Sequence, residues 1–111
     1  MNENLPLSEA VFFILFSLLP GPKHGYAIMK DVETSSDGRV CLSTGTLYGA
    51  LKRLLEDGWI ERMDIEGEQS ARQRKAYALT RLGRSVLEAE AARMKNLVTL
   101  MQQRAPEGNA I

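Results

Sequence analysis

The stretch LSTGTLYGALKRLLEDGWI at residues 42–60 decides how this chain folds. Its apolar residues recur at the i, i+3, i+4, i+7 and i+8 spacing of one buried helix face. These residues are Leu47, Ala50, Leu51, Leu54 and Leu55. Ser43 can cap the start of this helix, and Gly58 suits the left-handed conformation that ends one. The stretch therefore predicts an amphipathic helix whose opposite face, with Tyr48 and Lys52, stays polar.

The residues after this helix change from helical to strand periodicity. Residues 59–65 read as one strand, residues 66–73 as a polar loop, and residues 74–79 as a second strand with partial alternation. Two strands joined by a polar loop form a hairpin. We expect Trp59 to pack beneath this hairpin.

Two further helices are predicted before the central stretch. Ser8 can cap the first, whose apolar run ends at the Pro-Gly-Pro sequence of residues 20–22. The second is expected from about Gly25 to Ser35. Residues 40–42 that follow it are compatible with a very short strand or an extended linker.

A long last helix carries an apolar seam. Thr80 can cap it, and its pattern continues to about Gln103, a length of about 36 Å. The seam is spaced +4, +3, +4, +3 over two heptads, which is typical of a two-helix contact. It can pack within the chain, but a small core cannot cover all of it, so we expect a twofold homodimer. We place the dimer interface at Phe12 and Phe16 of the first helix and at Leu87, Ala91, Met94, Leu97, Val98 and Met101.

Composition limits the possible functions. The 111 residues are 44% hydrophobic and 25% charged, the mix of one soluble globular domain. With one His and one Cys, the chain can form no internal disulfide and no structural zinc site, so we expect no metal, no cofactor and a reducing cytoplasm. Cys41 is expected in the core. The apolar run at residues 10–19 is too short to span a bilayer, so no membrane partner is expected.

The order of three helices, a hairpin and a final helix is that of a winged helix-turn-helix protein. The predicted fold class is mainly α with a small β-hairpin, plus a C-terminal dimerisation helix. In this arrangement the third helix enters the major groove of DNA and the hairpin touches the flanking backbone. We assign residues 5–80 to the winged-helix domain, residues 81–104 to the dimerisation helix and residues 105–111 to a flexible tail.

Three motifs also resemble those of a known family. They are HGYAI at residues 24–28, LSTGTLY at 42–48 continuing to DGWI at 57–60, and RKAYALT at 74–80 followed by LGR at 82–84. In this order and spacing they resemble the PadR family of bacterial transcriptional regulators, over about residues 5–103. Thr44 departs from the proline that is common there, but Ser43 already caps the helix. The resemblance implies a homodimeric winged-helix DNA-binding regulator, often a repressor, of the short class with a single C-terminal helix.

The start of the third helix is the predicted DNA reader. Ser43, Thr44, Gly45 and Thr46 leave backbone amides that a phosphate can approach, and the helix dipole favours an anion there. Tyr48 and Lys52 continue the same face by one and two turns. Tyr26 of the second helix is compatible with either a phosphate contact or internal packing.

The hairpin supplies the positive charge that a net charge of zero conceals. Residues 70–84 contain five basic residues and no acid, whereas residues 56–68 contain six acids and one arginine. Arg72, Arg74 and Lys75 are therefore predicted to contact phosphates of double-stranded DNA. The alternative is a solvated basic strand that pairs across to the acidic one.

A small-molecule effector is a further expectation. Soft and aromatic side chains suit loosely specified apolar ligands, and the resemblance implies that some members sense aromatic compounds. We place such an effector pocket at Phe12, Phe16, Met94, Val98 and Met101, where a small aromatic or apolar effector would release the repressor from DNA.

Two other functions compete with that of a DNA-binding repressor on an inverted-repeat operator. A winged-helix protein-interaction module without DNA binding is favoured by the zero net charge. An enzyme is disfavoured, because no nucleophile–base pair or metal cluster stands out in the sequence.

Overall fold

The computed structural model describes residues 5–64 and 75–106, and these contain four helices and a three-stranded sheet. The elements are α1 Glu9–Ser17, β1 Lys23–His24, α2 Gly25–Ser35, α3 Thr44–Glu56, β2 Ile60–Asp64, β3 Lys75–Leu79 and α4 Arg81–Arg104. This order confirms the predicted mainly helical, winged-helix fold class with a C-terminal helix.

Side-chain caps begin three of the helices, as predicted. The hydroxyl of Ser8 accepts a hydrogen bond from the Val11 amide at 3.1 Å, and that of Ser43 accepts one from the Thr46 amide at 3.2 Å. Thr80 caps α4 in the same way, through the Gly83 amide at 3.0 Å. Each hydroxyl satisfies an amide that has no acceptor within its helix.

The sheet has the order β1-β3-β2, with β3 in the middle. The pairing of β2 with β3 is antiparallel and confirms the hairpin, although its connection at residues 65–74 lies outside the described residues. Strand β1 was not predicted, because two residues carry no periodicity. It pairs Lys23 with Tyr77 and His24 with Ala76, which ties the start of α2 to the hairpin. Residues 40–42 form the linker and not the strand.

One core joins the first three helices, the sheet and the beginning of α4. Its fully buried side chains include Ile14, Leu15, Ile28, Leu47, Leu51, Ile60 and Val86. Trp59 is 7% exposed and packs in this core, as expected. The first turns of α4 therefore pack with the winged-helix domain, and the boundary assigned at residue 80 does not coincide with a gap in packing.

Leu87 is a correction to the predicted dimer interface. It is 5% exposed and belongs to the core of its own chain. The physical reason is that α4 crosses the three-helix core at this level, so its second turn is already covered.

Cys41 is a second correction, since it is exposed and not buried. Its neighbours Val40 and Leu42 are partly buried and pack against the core. In an extended linker successive side chains point in opposite directions, so the residue between two inward-facing ones faces out.

Glu90 is a buried acid that holds α4 to the chain just before α1. The residue is 2% exposed, and its carboxylate accepts hydrogen bonds from the Leu7 amide at 2.8 Å and from Arg93 Nε at 2.5 Å. The Arg93 hydrogen bond holds the pKa of Glu90 below its ordinary value, against the opposing effect of burial.

Candidate DNA interface

The first turn of α3 is exposed and its cap is fully formed. Ser43 Oγ donates to Thr46 Oγ1 at 2.9 Å while it accepts from the Thr46 amide. Thr44 and Gly45 are exposed beside it, and a Cβ added to Gly45 would meet no atom within 4 Å. The backbone of this turn is therefore open to a close approach by an anion.

The same face continues along α3 with a second glycine, which was not among the residues predicted to contact DNA. Gly49 lies one turn after Gly45, and a Cβ there would also meet no atom within 4 Å. Tyr48 is 47% exposed and Lys52 is exposed, so these two side chains lie next to the uncovered backbone of Gly45 and Gly49. A glycine inside a helix costs about 1 kcal/mol relative to alanine. No neighbour among the described residues requires Gly49, and a glycine without an internal reason inside a helix is the signal for a close external contact.

Tyr48 leans across to the start of α2. A Cβ added to Gly25 would overlap the Tyr48 hydroxyl and come within 2.9 Å of its Cζ. Gly25 therefore leaves room for the hydroxyl end of the phenol at the first turn of α2. The position of Tyr48 follows from this contact between helices, which spacing along α3 does not reveal.

Tyr26 lies on the outside of α2. Its side chain is 65% exposed, and Lys30 Nζ lies 5.8 Å from its ring centroid. Of the two alternatives, internal packing is therefore wrong. Tyr26, Thr44, Tyr48 and Lys75 line one groove, so the structure brings four of the predicted DNA-binding residues together.

Lys75 is the described part of the predicted basic wing. It is exposed at the beginning of β3, opposite Asp64 of β2 in the register. His24 Nδ1 lies 3.0 Å from the Lys75 carbonyl oxygen, which fixes the wing to the N-terminus of α2. Arg72 and Arg74 lie outside the described residues.

The second half of α4 carries the predicted seam. The buried residues of this helix are Gly83, Val86, Leu87 and Glu90, all in its first ten residues. Beyond them, apolar side chains are exposed, including Met94, Leu97, Val98, Leu100 and Met101. Ala91 is exposed as well, and Phe16 of α1 is 41% exposed with its ring stacked on Phe12 at 6.0 Å between centroids.

Two features are absent from the described parts of the chain. No group of three or more His, Cys, Asp or Glu residues there could hold a metal ion. No helix there is long and apolar enough to cross a membrane.

Comparison with known proteins assigns the family. The model of the transcriptional regulator PadR-like family matches residues 14–89, more than half of the chain. The chain belongs to the PadR-like family. This confirms the resemblance carried by the three sequence motifs, to a family described as transcriptional regulators.

Solved structures of PadR-like proteins share its architecture. A PadR family transcription regulator from Clostridium difficile is 27% identical, with a TM-score of 0.70 over 86% of this chain and 97% of that one. A PadR-like transcription factor from Bacteroides fragilis is 28% identical, with a TM-score of 0.68 over 86% of this chain and 88% of that one. A winged-helix DNA-binding protein from STIV shares the fold alone, at 19% identity and a TM-score of 0.64 over 78% of this chain and 88% of that one.

A sequence relative is considerably longer than this PadR-like chain. An uncharacterised 37.1 kDa protein in transposon TN4556 of Streptomyces fradiae is 38% identical over 90 residues. The match covers 81% of this chain, which spans about a quarter of that relative, 24% of its length.

Proposed function

We propose that this PadR-like regulator binds double-stranded DNA in a sequence-specific way and represses transcription as a homodimer. The observation that carries the proposal is the exposed face of α3, where the bare backbone at Gly45 and Gly49 lies between the cap and the side chains of Tyr48 and Lys52. Backbone amides and a lysine position the protein on phosphates, and the helix face reads bases in the major groove.

The wing and α2 extend the proposed interface. Lys75 and Tyr26 line the same groove as Thr44 and Tyr48, which supports a continuous surface against the sugar–phosphate backbone. Arg72 and Arg74 add positive charge next to Lys75 in the sequence. These contacts set affinity and its salt dependence, because they neutralise phosphates regardless of sequence.

The proposed dimer forms through the second half of α4. Met94, Leu97, Val98 and Met101 are between 37% and 61% exposed, an apolar stripe too large for a helix that faces only water. A twofold axis at this stripe pairs each helix with its copy. Two α3 helices then enter major grooves about 34 Å apart, so the operator is an inverted repeat.

The proposed effector is a small aromatic or apolar molecule held between the stripe and α1. The stacked rings of Phe12 and Phe16 supply one wall, and Met94, Val98 and Met101 supply a soft, adaptable one. An effector at this place releases DNA by changing the distance between the two α3 helices.

The test is DNA footprinting upstream of the protein's own gene, followed by affinity measurements on the protected site. Tyr48→Ala and Lys52→Ala should each weaken binding while the fold is retained, and Lys52→Ala should reduce the salt slope by about one. Lys95→Ala, at an exposed lysine of α4, is the matched control and should bind normally.

The rival function, a protein-interaction module without DNA binding, makes the opposite prediction. It requires weak DNA affinity with a shallow salt dependence and no effect of either α3 variant. Wild-type affinity in both folded variants would remove α3 as the reader.

A further inference from the structure

A groove beside α3 is lined partly by polar and aromatic groups that are not part of the proposed DNA contacts. It has a volume of about 730 Å³ and lies between the first turn of α2, the face of α3 and the beginning of β3. The rings of Tyr26, Tyr48 and Tyr77 form much of its wall. Among the described residues that line it, none is acidic and Lys75 is basic. Its size and aromatic walls are those of a site for a small organic molecule or part of a polymer.

The Tyr77 hydroxyl is the buried polar group of this groove. The residue is 5% exposed, and its hydroxyl makes no hydrogen bond to any residue in the described ranges 5–64 and 75–106. The hydroxyl keeps access to solvent through the groove that Tyr77 lines. A nearly buried donor without a protein partner is costly unless a ligand or water satisfies it.

The phenol of Tyr77 is a protonated donor at neutral pH. Burial raises the pKa of Tyr77 above its ordinary value, and the neighbouring Tyr48 raises it further. The Tyr48 hydroxyl itself lies against Gly25, the first residue of α2. Tyr48 and Tyr77 therefore both line the groove beside the N-terminus of α2.

The start of α2 supplies backbone donors at the same place. Gly25, Tyr26 and Ala27 form its first turn and line the groove. The N-cap residue, His24, makes no side-chain hydrogen bond to these amides. Because α2 has 11 residues and no side-chain cap, its first backbone amides and the positive end of its helix dipole are available to a hydrogen-bond acceptor.

Two basic residues lie beside Tyr77 in the sheet. Arg62 lies directly opposite Tyr77 on β2, and its charge lowers the pKa of that phenol, opposing burial. Lys75 lies two residues before Tyr77 on β3, and therefore on the same face of the sheet. Asp64 is opposite Lys75 in the register but does not line the groove.

We propose that this groove binds a phosphate ester, with the phosphate oxygens accepting hydrogen bonds from the Tyr77 hydroxyl, the Tyr48 hydroxyl and the first-turn amides of α2. The organic group of the ester lies against the tyrosine rings. The ester is either a free small molecule or a phosphodiester of the DNA backbone. In the second case the inference rests on the proposed function, and in both cases ligand and DNA share Tyr48 and Lys75.

The first arm of the test uses no DNA. Phenyl phosphate is titrated into the full chain while the amide resonances of Gly25, Tyr26 and Ala27 are followed by NMR. These resonances should shift, and Tyr77→Phe should weaken binding by about tenfold, because a hydrogen bond to a charged group is lost. Phenol, which lacks the phosphate, should shift them little. Thr34→Ala removes an exposed hydroxyl at the far end of α2 and is the matched control.

Tyr77→Phe removes a hydroxyl that has no partner in the described part of the chain, so it should melt at the wild-type temperature. If that variant loses its fold, Tyr48→Phe provides the comparison for phenyl phosphate, because it removes only the second proposed hydroxyl donor from a side chain that is 47% exposed.

The second arm measures duplex DNA binding by the same variants. If Tyr77→Phe loses phenyl phosphate but keeps wild-type DNA affinity, the ester is a free molecule. If it also loses DNA affinity by several-fold and phenyl phosphate displaces DNA, the ester is a backbone phosphodiester. Loss of DNA affinity without phenyl phosphate binding also supports the phosphodiester.

The proposal is overturned if phenyl phosphate leaves the three amides unchanged and Tyr77→Phe binds DNA normally; that result leaves the proposed function intact. Phenyl phosphate binding in a protein that binds no DNA supports the groove and refutes the proposed function.

Discussion

Replacing Glu90 with glutamine should reveal how much the buried carboxylate stabilises this fold. The change keeps the size of the side chain and one acceptor oxygen for the Leu7 amide, but it removes the charge that faces Arg93. A hydrogen bond to a charged group contributes about 1.5–3 kcal/mol. Because the Arg93 side chain is 35% exposed and can be hydrated when unpaired, we expect the lower half of that range at pH 7.

The direction of the Glu90 pKa shift determines how its contribution to stability changes with pH. The pKa of Glu90 is lower in the folded chain than its ordinary value of 4.5, so the unfolded chain binds the proton first. The stabilisation is therefore present above the unfolded pKa and is lost as pH falls through the folded pKa. Wild type and Glu90→Gln should differ at pH 7 and converge under acid.

Urea denaturation measures both effects, and the protein concentration is held fixed because the proposed dimerisation would make stability depend on concentration. For a chain near 100 residues, each kcal/mol corresponds to roughly 4–8 °C in the melting temperature. Asp31→Asn removes a partly buried carboxylate on α2 and is the control for a general charge effect. An equal difference between wild type and Glu90→Gln at pH 7 and at pH 3 would refute the role of the Glu90 charge.

Three other substitutions probe packing, the DNA face and the dimer. Gly83→Ala should destabilise the fold by about 1–3 kcal/mol, because the new Cβ would overlap the Trp59 carbonyl; an unchanged urea midpoint would argue against that close approach. Gly49→Ala should stabilise α3 by about 0.5–1 kcal/mol and yet weaken DNA binding, so a variant that gains both stability and affinity contradicts the close backbone contact. Val98→Asp places an unpaired charge in the proposed interface, and sedimentation at micromolar concentration should show a monomer; a dimer that still binds DNA would place the interface elsewhere.

Local sequence signals were sufficient for the elements whose stability is local. Capping hydroxyls at Ser8, Ser43 and Thr80 marked three helix starts, because the amides they satisfy lie within three residues. The apolar period of α3 and the change of period after Gly58 predicted the reader helix and the hairpin. Motif order then identified the family without any knowledge of contacts.

The tertiary structure alone decided which surfaces those elements share. Strand β1 exists because β3 offers it a partner 54 residues away in the sequence, at Lys23 and Tyr77, and two residues alone have no signal. Leu87 and Cys41 were misplaced because burial depends on what lies opposite a residue, which periodicity does not specify. The groove around Tyr77 and the hydrogen bond from the Leu7 amide to Glu90 have the same origin. The donors and acceptors that meet there come from distant segments, and only the packing of those segments brings them within hydrogen-bond range.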